Sequence, residues 1–192
     1  MRLGRVLYPV KALGPGNRLA IWVQGCHRNC VGCANPELQS FEKREIPIEL
    51  LEAMALAAIR QYSLDGITIS GGEPMLQAKD ICQLLDSVLP YCNDVLVFTG
   101  YGIDELNSIN DPNIAALLAK IAVLVDGPYI EELNRGEILR GSCNQHIIIL
   151  KKEFEKRYNE YLRLGRHVID NFIAQDGVIS VGIHPKGFFT NE

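Results

Sequence analysis

No run of apolar residues in the 192-residue sequence approaches the roughly 18 that a membrane-spanning helix needs. The opening Met-Arg-Leu-Gly-Arg-Val-Leu-Tyr-Pro also lacks the apolar centre of a signal peptide, so a cytoplasmic location is expected. Blocks of like charge are missing as well. A net charge of −4, spread over 19 basic and 23 acidic residues, offers no basic patch for nucleic acid or for an anionic membrane. There is no internal repeat and no low-complexity linker. The length suits an ordinary globular core, expected over 1–150, with an extension of a helix and a hairpin over 151–192 packed on it.

The cysteines lack the even spread of a disulfide framework. Of six, Cys26, Cys30 and Cys33 fall within eight positions as C-x3-C-x2-C, while Cys82, Cys92 and Cys143 are scattered. Cys82 and Cys92 read as buried structural thiols. No fourth cysteine follows the cluster of three. A structural zinc knuckle needs a fourth Cys or His, and the nearest, His27, adjoins Cys26 too closely to share one ion easily. A thioredoxin-like pair is weaker still, since Cys30 and Cys33 lack the neighbouring aromatic pattern. Three thiolates holding a cube of four irons and four sulfides would leave one iron free for a substrate, and Gly25 and Gly32 would let the backbone curl around it.

Apolar runs at 19–24, 67–70, 94–98, 121–125 and 145–150 read as strands, and helical periodicity marks 47–62, 77–89, 103–119 (broken near Asp111-Pro112) and 151–164. Strands that are apolar throughout and alternate with helices imply a parallel sheet covered by helices. The segments 167–174 and 178–183 read as a closing hairpin. Ligands of such sheets gather at the C-terminal strand ends. Four unusual loops fall there: the cysteine loop, Gly71-Gly72-Glu73-Pro74, Thr99-Gly100-Tyr101-Gly102 and Asp126-Gly127-Pro128. A glycine pair followed by a carboxylate is a common turn by itself. Beside a three-cysteine loop it suits a ligand with a positive amino group.

Through Cys26-x3-Cys30-x2-Cys33 and Gly71-Gly72-Glu73-Pro74 the sequence resembles the radical S-adenosylmethionine (SAM) superfamily. Over 8 to about 150 it is similar to the activating proteins of anaerobic ribonucleotide reductase. That likeness is carried by Leu13-Gly14-Pro15-Gly16-Asn17-Arg18, Thr99-Gly100-Tyr101 with Asp104-Glu105-Leu106, Val123-Leu124-Val125-Asp126-Gly127, and Arg140-Gly141-Ser142 with Asn144-Gln145. The resemblance implies an α/β fold, a partial (β/α)6 TIM-like barrel of the radical SAM type with a C-terminal hairpin extension. It implies a [4Fe-4S] cluster on Cys26, Cys30 and Cys33, and SAM held by Gly71, Gly72 and Glu73, with Thr99 and Asp126 as more distant contacts. It implies reductive cleavage of SAM to a 5′-deoxyadenosyl radical, which installs a glycyl radical on a partner enzyme. An anaerobic ribonucleotide reductase is the expected partner, and flavodoxin or ferredoxin the expected kind of electron donor. No protein residue is singled out as catalytic. Ala34, Glu73 in place of Asp, Cys143 in place of Ser, and the tail beyond Leu150 depart from the family pattern. A radical SAM enzyme acting on a peptide or small molecule, and a non-catalytic iron-sulfur or zinc protein, are the alternative readings.

Overall fold

A computed structural model describes residues 1–42, 45–165, 168–175 and 177–186. The first residue of the expected hairpin, His167, and the last residues of the expected extension, 187–192, lie outside the described residues.

Six strands form one sheet in sequence order: β1 Leu3–Val10, β2 Arg18–Val23, β3 Gly66–Gly71, β4 Val95–Phe98, β5 Val123–Asp126 and β6 His146–Ile149. Strands β2 to β5 run parallel, and β1 and β6 pair antiparallel at the two ends. The expected α/β class is therefore present with a mostly parallel sheet, and the run at 145–150, expected as a further parallel strand, is the antiparallel β6. Closure into a barrel is not seen, because β1 and β6 stand at opposite edges and do not pair. Strand β1 was not expected from the sequence. Its Gly4, Arg5 and Pro9 dilute the β signal, and a proline is tolerated on such an edge strand.

Helix α1 (Ile48–Tyr62) is followed by Ser63 in the left-handed region at φ 48°. Helix α2 spans Ala78–Val88, and the region 103–119 divides into α3 (Ile103–Ser108) and α4 (Pro112–Lys120). The break has a local cause. Pro112 opens α4 and Asp111 caps it, its side chain accepting from the Asn113 N–H at 2.8 Å.

Strand alternation sorts the core into two faces. Leu19, Ile21, Val23, Ile67, Ile69, Val95, Val97 and Leu124 point to the side covered by α1, α2 and α4. On the other side Ala20 and Trp22 meet the C-terminal hairpin, while Leu96, Val123 and Val125 meet Phe154 and Tyr158 at the start of α5 (Glu155–Arg163). The hairpin is β7 (Asp170–Ala174) with β8 (Gly177–Val181), a sheet of its own that adds to neither edge of the large one. Asp170 anchors it, accepting from the N–H groups of Lys11 and Ala12 at 2.6 and 2.8 Å.

At the N-terminal end of the parallel strands Arg18 is fully buried. Its guanidinium donates to Thr68, Pro15, Ile67 and both carboxylate oxygens of Asp94. The Tyr158 hydroxyl donates to Asp94 at 2.7 Å. This polar plug ties β2, β3 and β4 to α5, and every donor of the guanidinium is used, as a buried cation requires.

Candidate functional site

The opposite, C-terminal end of the strands holds a cavity of about 410 Å³ on the face that carries Trp22 and Phe98. All four loops singled out from the sequence reach it, through Cys26, Gly72, Thr99 and Gly127 among others. Their convergence follows from parallel strands in register, where Val23 pairs with Gly71 and Phe98 with Val125.

Cys26, Cys30 and Cys33 all line the cavity, are half-buried, and form no disulfide. Burial pushes the Cys26 thiol up, and the Arg28 N–H, which donates to its sulfur at 3.4 Å, pulls it down. After the loop, the 3-10 turn Pro36–Leu38 brings the chain back so that Leu38 and Gln39 accept from the N–H groups of Gly25 and Cys26. Gly25, at φ 99°, lies under the Phe41 ring, and a Cβ there would stand 2.6 Å from a ring carbon. His27 is exposed and stacks on Phe41 at 4.5 Å, outside the cavity lining.

Gly71 and Gly72 are held against the cysteine strand. The Gly72 N–H donates to Val23 and the Glu73 N–H to Gly25, at 2.8 and 2.9 Å. A Cβ on Gly71 would lie 2.2 Å from the Val23 carbonyl oxygen, and one on Gly72 2.4 Å from that of Gly25. Only glycines permit this approach.

Glu73 lines the cavity yet is almost wholly buried. Its Oε1 accepts from the Met75 N–H and the Thr99 hydroxyl, and its Oε2 from the Gly100 N–H. Burial pushes its carboxyl up, opposed by those three hydrogen bonds and by Arg28. Three donors leave a carboxylate with acceptor capacity to spare. Thr99 is buried too, and its oxygen accepts in turn from Tyr101 N–H.

Asp126 is placed differently. It does not line the cavity; Oδ2 accepts from the Ile103 N–H at 2.7 Å, and Oδ1 meets His146 Nδ1 at 2.9 Å. The side chain thus serves the first turn of α3 and the start of β6. Cys143 is exposed and lies outside the cavity.

Sequence reasoning missed several walls of the cavity. The segment after β8 runs along it as Gly182, Ile183, His184, Pro185 and Lys186. Asn134 pins that segment, donating to the His184 carbonyl at 3.0 Å and to the Tyr129 hydroxyl at 3.2 Å. Gln145 shapes the facing loop by accepting from Gly141 and Ser142 and donating to Gly127. Its place in Arg140-Gly141-Ser142-Cys143-Asn144-Gln145 was the available signal.

The donor set suits a cluster better than a single ion. Among the described residues no three His, Cys, Asp or Glu side chains are close enough together to hold one metal ion. A four-iron cube takes each thiolate on a different iron, so its ligands stand apart around a larger body. Three thiols outside any disulfide, lining one cavity, fit that arrangement.

Comparison with known sequences supplies the class. The family model of the 4Fe-4S single cluster domain matches residues 12–148, so the chain carries a 4Fe-4S cluster domain. It is 35% identical over 148 residues to an anaerobic ribonucleoside-triphosphate reductase-activating protein of Vibrio cholerae, covering 73% of this chain and 93% of the relative. The protein of the same name from Escherichia coli K12 is 32% identical over 146 residues, 72% and 92% of the two chains. A pyruvate formate-lyase-activating enzyme of Staphylococcus epidermidis is 28% identical over 151 residues, 70% of this chain and 55% of that enzyme. The chain belongs to the family of anaerobic ribonucleoside-triphosphate reductase-activating proteins, radical SAM enzymes of the glycyl-radical-enzyme activating type. None of the described helices is long and apolar enough to cross a membrane.

Proposed function

We propose that the protein binds a [4Fe-4S] cluster through Cys26, Cys30 and Cys33, cleaves SAM reductively, and installs a glycyl radical on a partner enzyme, an anaerobic ribonucleotide reductase. The observation that carries this reading is the convergence of the three cysteines and the Gly71-Gly72-Glu73 loop on one cavity. The cluster would supply the electron that splits SAM into methionine and the 5′-deoxyadenosyl radical, which takes an α-hydrogen from a glycine of the partner.

The chain's own groups bind and orient. Gly71 and Gly72 let the loop after β3 lie directly against Val23 and Gly25, which sets the place where the methionyl end of SAM would bind beside the cysteine loop. Glu73, fixed by Met75, Thr99 and Gly100, offers its remaining acceptor capacity to the amino group. Thr99 acts through Glu73, and Asp126 acts through α3 and His146 rather than by contact. Trp22 and Phe98 give the cavity an apolar floor that excludes water from a reactive radical.

In this reading the parallel strands β2 to β5 of the open sheet correspond to part of the (β/α)6 barrel of the radical SAM type. The inner face of the sheet carries the cavity, its outer face α1 to α4, and of the expected extension over 151–192 the described α5 and β7–β8 hairpin pack on the inner face. The electron donor is a flavodoxin or ferredoxin, and the setting is the cytoplasm.

The segment Gly182–Lys186 favours a second reading, a different peptide or small molecule as the substrate, because it walls the cavity from beyond the residues that the family model covers. Mixing reduced, cluster-loaded protein and SAM with the anaerobic ribonucleotide reductase of the same genome decides between them. A glycyl radical doublet in electron paramagnetic resonance supports activation. SAM cleavage without that doublet supports the second reading.

A further inference from the structure

Arg28 lies two residues after Cys26 in the cysteine loop and lines the cavity, and its side chain does more than place a charge near Glu73. Its guanidinium carbon sits 4.0 Å from the centre of the Tyr101 ring, and Nη2 donates to Glu105 Oε2 at 2.7 Å. Tyr101 belongs to the loop after β4 and Glu105 to α3. The arm therefore crosses from one functional loop to another. Gly100 makes room for it, since a Cβ there would stand 3.1 Å from Arg28 Cγ and 3.3 Å from Glu73 Oε2.

We propose that Arg28 is a positioning residue that latches the cysteine loop onto the Tyr101–Glu105 segment. Stacking on a ring and pairing with a carboxylate at once is what a planar guanidinium does and an ammonium does poorly. The latch completes a ring of contacts. Glu73 N–H joins the loop after β3 to Gly25 in the loop after β2, and the Glu73 carboxylate joins it to Thr99 and Gly100 after β4. Arg28 links the first loop directly to the third. With the latch open, the segment 27–33 has no comparable hold on α3, while the sheet and the plug at Arg18 stay intact.

The proposal rests on the reading that these cysteines hold the cluster, and two measurements separate the two ideas. The first uses anaerobically reconstituted protein challenged with an iron(II) chelator, following the decay of the thiolate-to-iron absorbance. Arg28→Gln loses iron about fivefold faster than wild type, the scale of one cation–π contact plus a half-exposed ion pair. Tyr101→Leu and Glu105→Gln each give part of that effect. Arg28→Lys restores part of the wild-type rate, and Arg28→Gln with Tyr101→Leu is no faster than Arg28→Gln alone.

The second uses cluster-free protein and a thiol-alkylating agent, with exposed Cys143 as the internal reference. In Arg28→Gln, Cys26, Cys30 and Cys33 react several-fold faster relative to Cys143, while the thermal midpoint stays within the range of wild type. Wild-type rates for Arg28→Gln in both measurements overturn the latch. Effects of Arg28 and Tyr101 that multiply independently overturn it too. Wild-type protein that takes up no iron overturns the cluster reading, and the alkylation rates then decide the latch by themselves.

Discussion

Thr99 donates its hydroxyl to Glu73 Oε1 across 2.8 Å, so the residue at the end of β4 holds the carboxylate that follows β3. Both are buried, and the same hydroxyl oxygen accepts from Tyr101 N–H. Thr99→Val keeps the shape but leaves Tyr101 N–H without its acceptor and Glu73 one donor short. The expected loss is about 1–3 kcal/mol in urea unfolding of the cluster-free protein, with Thr99→Ser near wild type. An unchanged midpoint for Thr99→Val would remove the positioning role.

Asp94 is the hub of the plug below the sheet, paired with Arg18 at 3.2 Å and with Arg157 at 3.4 Å. Asp94→Ala leaves the fully buried Arg18 charge uncompensated, and a loss of about 3–5 kcal/mol is expected by urea unfolding. The triple change of Arg18, Asp94 and Tyr158 to apolar residues of similar size should cost much less, because the loss comes from breaking the pair and not from lacking it.

Cys92 packs beside this plug, and burial pushes its thiol up to about 11 from 9.0. A thiol held above its unfolded value binds its proton more tightly in the folded state. Its contribution is complete below the unfolded pKa and is lost as pH rises from about 9 to about 11, by on the order of 3 kcal/mol. Urea unfolding against pH should show that limb in wild type and a flatter one in Cys92→Ala.

Asp126 and His146 should separate cleanly. Asp126→Ala strips the Ile103 N–H at the start of α3 of its acceptor, and a cost of about 1–2 kcal/mol is expected. His146→Ala removes an imidazole that is 73% exposed and should change stability by less than about 0.5 kcal/mol. Equal losses in thermal unfolding would point to the imidazole as the stabilising partner.

Much of this was legible in the chain. The apolar runs around Ile21, Ile69, Val97 and Leu124 marked four parallel strands, and the glycines, cysteines and carboxylate that follow them could only gather at one end. Strand β1 was hidden because Gly4, Arg5 and Pro9 interrupt its pattern and most of it is half-buried. The antiparallel direction of β6 was hidden because Ile147, Ile148 and Ile149 read alike either way. Glu73 and Asp126 are each an acidic residue at a strand end, and the resemblance ranked Asp126 only as a more distant contact. Their tertiary neighbours separate them further: Glu73 borders the cavity, and Ile103 and His146 draw Asp126 away. The wall at Gly182–Lys186 depends on Asn134, 50 residues from His184 in the chain, and local spacing carries no trace of such a contact.

The most direct test is anaerobic reconstitution of wild-type protein and Cys30→Ala with iron and sulfide, followed by dithionite and SAM, with 5′-deoxyadenosine measured by chromatography. Wild type should show thiolate-to-iron absorbance and release 5′-deoxyadenosine. Cys30→Ala should stay folded and do neither. A normal cluster spectrum in Cys30→Ala, or intact SAM in wild type both alone and with its reductase present, would contradict the account.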